Sequence, residues 1–94
     1  MFSDEDGGFV KTHVPVKHFF ESFPVSRSQA RRLVNRFEKF QEIELDFLGI
    51  DEIGQGFAHE LFVVFQREHE NVHLIPTNVS KEVEKMINHV KNSI

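Results

Sequence analysis

Residues 43–65, IELDFLGIDEIGQGFAHELFVVF, constrain the fold more than any other part of this 94-residue chain. Ile43, Leu45 and Phe47 alternate with acidic residues, and a period of two is typical of a strand with one buried face. After two glycines, apolar residues recur at helical spacing, at Phe57, Ala58, Leu61, Phe62, Val64 and Phe65. The stretch therefore predicts a strand, a tight loop and a helix over residues 55–68.

The loop between this strand and this helix is the first candidate for a functional surface. In open α/β sheets, ligands and partners contact the chain where a strand is followed by a helix. The polar residues and glycines there are Asp51, Glu52, Gly54, Gln55 and Gly56. Backbone N–H groups at a helix start can bind an anion, but no Lys or Ser follows the glycines to contact a phosphate. We therefore interpret the glycines as a source of backbone freedom for a tight turn.

The rest of the chain predicts one domain over residues 9–94, preceded by an acidic, flexible N-terminus at residues 1–8. A first strand is expected at 9–14, at the edge of the sheet, and Pro15 ends it. Residues 16–24 have apolar residues at helical spacing, and a helix follows from Ser26 or Ser28 to about Lys39. A strand at 72–76 and a helix at 81–91 complete the domain. The strands at 43–47 and 72–76 enclose a helix, so they should be parallel with a right-handed connection. Polar residues alternate along both strands, which predicts that one sheet face is only partly covered.

Composition excludes several classes of protein. Eleven Phe and no Trp or Tyr predict a phenylalanine-rich core, and the absence of Cys rules out disulfides and thiol chemistry. A net charge of −4 argues against general affinity for nucleic acid or an anionic membrane. No apolar run approaches the ~20 residues of a membrane span, and the acidic start is unlike a signal peptide. We therefore expect a cytoplasmic protein that does not bind membranes.

The sequence His69-Glu70-Asn71-Val72-His73 matches the H-E-x-x-H motif of zinc proteases. That motif binds zinc only within a helix, where the two histidines lie on one face. Here Glu70 and Asn71 favour a turn and residues 72–76 favour a strand, in which the fourth residue along is about 13 Å away. The motif is therefore interpreted as a chance match, and no metal site is expected.

The helix at residues 26–39 carries the densest group of cations, Arg27, Arg31, Arg32 and Arg36. Such a face is most often solvated or paired with carboxylates such as Glu38. It is also the basis of an alternative in which the protein is a nucleic-acid-associated regulator, although such proteins are usually basic overall and present aromatic residues on a platform. Arg31 and Arg32 are kept as candidate partner contacts.

Catalysis requires a nucleophile and an organised pocket, and the sequence has no Cys and no serine motif typical of an activated nucleophile. His59 and Glu60 fall on the polar side of the central helix, where we expect them to be exposed. Val63 falls on that same side, either as a lone exposed apolar residue or as part of a contact patch. The sequence predicts that the protein is not an enzyme and needs no cofactor.

Three stretches resemble a known family. They are Ser26-Arg27-Ser28-Gln29-Ala30-Arg31-Arg32-Leu33, the central strand–loop–helix, and Val83-Glu84-Lys85-Met86-Ile87. Together they resemble a bacterial STAS-like domain family of unknown function over roughly residues 10–90, and more distantly the STAS anti-sigma factor antagonists. The resemblance implies an α/β fold with a small, mostly parallel sheet and helices packed mainly on one face.

The resemblance also implies a type of function. STAS antagonists carry a phosphorylated Ser in this loop, and Gln55 takes its place here, so the phosphoswitch should be missing. The partner implied is a protein, and an ATPase of the histidine-kinase-like superfamily is the candidate class. We therefore expect a non-enzymatic protein-interaction or regulatory module that uses the loop at residues 51–56.

Overall fold

The computed structural model describes residues 11–20, 24–35, 37 and 39–92. The flexible N-terminus expected at residues 1–8 lies outside the described residues, as do residues 9 and 10 of the expected first strand. Phe23, Arg36 and Glu38 also lie outside them.

Three parallel strands form the sheet within the described residues, in the spatial order β1-β2-β3. They are β1 (Lys11–Pro15), β2 (Glu42–Asp46) and β3 (His73–Thr77). The parallel pairing of β2 with β3 confirms the βαβ unit predicted from the sequence. β1 lies at the edge and ends at Pro15, as its sequence indicates.

The alternation along the strands separates two faces of the sheet. Val14, Ile43 and Leu45 are buried under the helices, whereas His13 on the opposite face is exposed and Asp46 there is only partly covered. The prediction of one partly covered sheet face is confirmed.

Three helices pack on the sheet among the described residues: α1 (Arg27–Val34), α2 over residues 55–68, and α3 (Lys81–Asn92). A 3₁₀ turn, Val16–Phe19, follows β1. Ser26 caps α1, since its hydroxyl accepts from the Gln29 N–H at 3.2 Å while the Gln29 side chain accepts from the Ser26 N–H at 2.9 Å. Of the two serines proposed as caps, Ser26 therefore has this role. No helix in the described part of the chain is long and apolar enough to cross a membrane.

Helix α1 is shorter than predicted, since it ends at Val34 instead of near Lys39. Two successive turns follow, in which the Phe37 N–H bonds to the Val34 carbonyl at 2.9 Å and the Phe40 N–H bonds to the Phe37 carbonyl at 3.1 Å. The Phe37 ring is buried and meets the Phe65 ring edge-on, with centroids 6.0 Å apart. The tighter turns thus coincide with packing of Phe37 into the core.

Helix α2 is the centre of the molecule. It consists of an α-helical turn, Gln55–His59, a π-helical segment, Glu60–Phe65, and a final α-helical turn, Gln66–Glu68. Phe57 and Leu61 are fully buried, which confirms their predicted role in the core.

The prediction that His59, Glu60 and Val63 are exposed is wrong. Glu60 is 6% exposed and Val63 is 4% exposed, and His59 is partly buried. There are two physical reasons. Helices α1 and α3 both pack against α2, so its flanks are covered as well as its sheet side. In addition, i→i+5 bonding in the π segment changes the rotation per residue, so a wheel drawn with 3.6 residues per turn misplaces the residues after His59.

Candidate functional site

The loop at residues 51–56 lies beyond the carboxyl end of β2, the central strand. Its last two residues, Gln55 and Gly56, belong to the first turn of α2, so the loop proper ends at Gly54. Asp51, Glu52 and Gln55 are exposed, whereas Ile50 and Ile53 are buried and anchor the loop to the core. The loop thus presents polar side chains on a backbone that is fixed by two apolar residues.

Hydrogen bonds fix the loop further. The Ser80 hydroxyl donates to the Asp51 carbonyl at 2.7 Å, and the same hydroxyl accepts from the Val83 N–H at 3.1 Å at the start of α3. The Gly54 N–H donates to the Pro24 carbonyl at 2.9 Å. The loop is therefore bonded to two other parts of the chain, which are the residue before α3 and the segment that leads into α1.

Gly54 is required for a reason that the sequence did not indicate. Its φ is −79°, which any residue can adopt, so no left-handed turn is present there. A Cβ at Gly54 would lie 2.5 Å from the Val25 carbonyl oxygen, and real atoms cannot approach so closely. Gly54 thus permits close contact of two backbones. Among the glycines that the structure describes, Gly49 has a left-handed φ, of +84°.

The backbone donors at the start of α2 are partly used within the protein. The Phe57 N–H donates to the Val25 carbonyl at 3.2 Å, and the Gly54 N–H is bonded to Pro24. These bonds add to the sequence argument against a phosphate cradle, because both groups already have acceptors.

The arginines of the helix at residues 26–39 have different surroundings in the structure. Arg31 Nε donates to Glu60 Oε2 at 3.2 Å, and Arg27 Nη1 lies 3.5 Å from Glu60 Oε1 and 2.9 Å from His59 Nδ1. A guanidinium has only donors, so His59 Nδ1 is the acceptor. Arg27 and Arg31 therefore form ion pairs with a buried carboxylate on α2. The sequence did not reveal this pairing, because each arginine is about 30 residues from Glu60.

Arg32 points elsewhere. It is exposed and lines a recess with Phe19, Phe20 and Leu33. The structure therefore does not bring Arg31 and Arg32 together at one contact surface. Arg27 lies beside the start of α2, since its Cγ would lie 3.4 Å from a Cβ placed on Gly56.

Asp46, the last residue of β2, is the centre of a polar network that sequence analysis missed. Its Oδ1 accepts from Asn78 Nδ2 at 2.9 Å and from the Leu48 N–H at 3.0 Å, and its Oδ2 lies 2.9 Å from His13 Nε2. The Asn78 bond, then the His13 and Leu48 bonds, lower the pKa of Asp46 to about 2. The network joins the carboxyl end of β2 to His13 in the middle of β1 and to Asn78, which follows β3. An Asp at a strand end was the only available signal, since its partners lie far away in sequence.

The H-E-x-x-H residues are arranged as predicted. His69 follows α2, Glu70 and Asn71 form a turn, and His73 begins β3. His69 stacks on Phe65 with centroids 4.4 Å apart. In residues 11–20, 24–35, 37 and 39–92, no group of three or more His, Asp or Glu side chains is placed to hold a metal ion.

Comparison with known proteins gives one match. The model of a family described as a STAS-like domain of unknown function (DUF4325) matches residues 29–84, which cover most of α1, the loop, α2 and the start of α3. Searches of curated proteins and of solved structures gave no match.

Proposed function

Because the chain belongs to this STAS-like family of unknown function, we propose that it is a non-enzymatic protein-interaction module with a regulatory role. The proposed contact surface is the loop at residues 51–56. It lies at the carboxyl end of the central parallel strand, where α/β folds usually place their binding sites.

The observation that carries this proposal is the anchoring of the loop. Asp51, Glu52 and Gln55 project from a backbone held by Ile50 and Ile53 inside and by bonds to the neighbouring segments. A surface that is already ordered loses less conformational freedom on binding than a mobile one. The loop is therefore suited to recognition of a partner without rearrangement.

The partner class comes from fold-level analogy with the STAS antagonists, which act on ATPases of the histidine-kinase-like superfamily. Gln55 is exposed at the start of α2 and has no hydroxyl. We therefore propose an interaction that phosphorylation at this position does not switch.

The alternative, nucleic-acid binding through residues 26–39, has less support. Arg27 and Arg31 already neutralise the buried Glu60 carboxylate. The net charge of the chain is −4, and non-specific nucleic-acid binding depends on free cations that replace counterions.

The test is affinity capture with the full chain as bait, with and without nuclease, in parallel with the variants Glu52→Lys and Gln55→Arg. Arg32→Ala tests the competing arginine surface, and Arg31→Ala is avoided because it would leave Glu60 buried without a full partner. We expect an ATPase to be recovered by the parent and by Arg32→Ala, and lost with both loop variants. Normal recovery by the loop variants, or loss of the partner on nuclease treatment, would overturn the proposal. Circular dichroism would confirm that each variant is folded.

A further inference from the structure

The outer edge of β3 is partly covered by a side chain. Gln66 Nε2 donates to the Val72 carbonyl at 2.6 Å, and Gln66 Oε1 accepts from the Leu74 N–H at 3.4 Å. The amide of Gln66 thus takes one donor and one acceptor position that a neighbouring strand would use. Pro76 has no N–H, so it offers no further donor on this strand.

The outer edge of β1 has no such cover within the described part of the chain. In a parallel ladder, successive residues bond alternately to the two neighbouring strands. The Phe47 N–H bonds to the Thr77 carbonyl, so the odd-numbered residues of β2 face β3 and the even-numbered ones face β1. With the register of β1 on β2, the backbone N–H and C=O groups of Lys11 and His13 point away from β2, towards the outer edge of the sheet. None of these groups bonds to a described backbone group outside the sheet.

An apolar groove of about 210 Å³ runs beside this edge, on the helix side of the sheet. Val14, Phe19, Leu33, Phe37 and Phe40 form most of its walls. A strand added to β1 would place every second side chain in this groove, since successive side chains point to opposite faces.

The other face of the same edge carries two exposed lysines, Lys11 and Lys17. Lys11, Lys17 and His18 are exposed, and none of them forms an ion pair with a described carboxylate. A second cleft, of about 390 Å³, is lined there by Lys17 and His18, and also by His13 and Asp46, which are bonded to each other. Glu42, the neighbour of Lys11 on β2, is further from the outer edge than Lys11 is, so an acidic side chain on a strand added outside β1 would lie next to the lysines.

We propose that the outer edge of β1 binds an extended segment of a partner protein in which apolar and acidic residues alternate. The segment adds a fourth strand to the sheet, with its apolar side chains in the groove and its carboxylates facing Lys11 and Lys17. Strand addition supplies affinity through the main chain, and the alternating side chains supply specificity. This surface does not include residues 51–56, so it is independent of the loop proposal.

The experiment is a titration of the isotopically labelled full chain with synthetic peptides, followed by nuclear magnetic resonance. One peptide alternates Val and Glu, a second alternates Val and Lys, and a third is the Val–Glu peptide with a central Pro. We expect only the first to bind, with shifts and slowed hydrogen exchange at the amides of Lys11 and His13.

Charge reversal supplies the second measurement. Lys11→Glu combined with Lys17→Glu should weaken binding of the Val–Glu peptide by roughly tenfold and favour the Val–Lys peptide. Lys85→Glu on the exposed face of α3 is the matched control and should leave binding unchanged.

Four results would overturn the proposal. They are equal binding of the acidic and basic peptides, peptide-induced shifts confined to β3, self-association that protects the same amides without peptide, and displacement of the peptide by single-stranded nucleic acid.

Discussion

Removing the two arginines that contact Glu60 should destabilise this protein more than removing Glu60 itself. The side chains of Arg27 and Arg31 are 52% and 69% exposed, whereas that of Glu60 is 8% exposed. Arg27→Ala combined with Arg31→Ala leaves a buried carboxylate without a countercharge, which costs about 3–5 kcal/mol in comparable cases. Glu60→Leu leaves two arginines that water still solvates, so it should cost less than about 1 kcal/mol.

The difference is large compared with the stability of a domain of this size. At 94 residues, the free energy of unfolding should be about 5–14 kcal/mol. A loss of about 3 kcal/mol corresponds to a fall in Tm of about 12–24 °C. The double arginine variant should therefore be partly unfolded at temperatures where the parent is native.

Urea unfolding followed by far-ultraviolet circular dichroism is the appropriate assay, because the chain has no Trp or Tyr for fluorescence. Arg32→Ala, an exposed neighbour, is the control and should change stability by less than about 0.5 kcal/mol. Adding Glu60→Leu to the double arginine variant should restore most of the lost stability. This pairing of charges is contradicted if Glu60→Leu alone lowers the free energy of unfolding as much as the double variant does. It is also contradicted if the triple variant is no more stable than the double variant.

The packing and the polar network give three further predictions. Phe57→Ala should lower the free energy of unfolding by about 3–5 kcal/mol, and an unchanged Tm would contradict the burial of its ring. Gly54→Ala should lower the free energy of unfolding by about 1–3 kcal/mol, because the added Cβ would clash with the Val25 backbone. Gly56→Ala should leave it unchanged or raise it by up to about 1 kcal/mol. Equal changes in Tm for the two variants would refute this difference. The pKa of Asp46 falls from 3.8 to about 2 on folding, so its carboxylate stabilises the fold above pH 4 and this contribution is lost as the pH falls towards 2. Urea midpoints measured across this range should show a smaller acid-dependent fall for Asp46→Asn than for the parent.

The parallel pairing of β2 with β3 was predictable because hydrophobic periodicity is a local signal. Ile43 and Leu45 are buried on one face as their spacing indicates, and the helix between β2 and β3 requires parallel pairing. Ser26 was likewise one of two serines proposed as the helix cap, and its reciprocal bonds with Gln29 came from the structure.

The environment of α2 was not predictable in the same way. The apolar stripe of α2 is clear in the sequence. The burial of Glu60, however, depends on the packing of α1 against α2, which brings Arg27 and Arg31 of α1 to the Glu60 carboxylate. The π segment is not indicated by composition, and it shifts every residue after it.

The candidate site was predictable in position but not in detail. The loop at residues 51–56 is expected from the strand-to-helix pattern. The role of Gly54 depends on the Val25 backbone, which the sequence places about 30 residues away. The separation of Arg31 from Arg32 depends on helix packing in the same way.

The central claim, that the loop at residues 51–56 is the contact surface, is tested most directly by site-specific photo-cross-linking. A benzophenone amino acid replaces Glu52 in one sample of the full chain and Arg32 in another, and both are irradiated in lysate from the native host before mass spectrometry. We predict that position 52 traps a single protein of the histidine-kinase-like ATPase class while position 32 does not trap it. Trapping of that protein at position 32 with none at position 52 would contradict the claim.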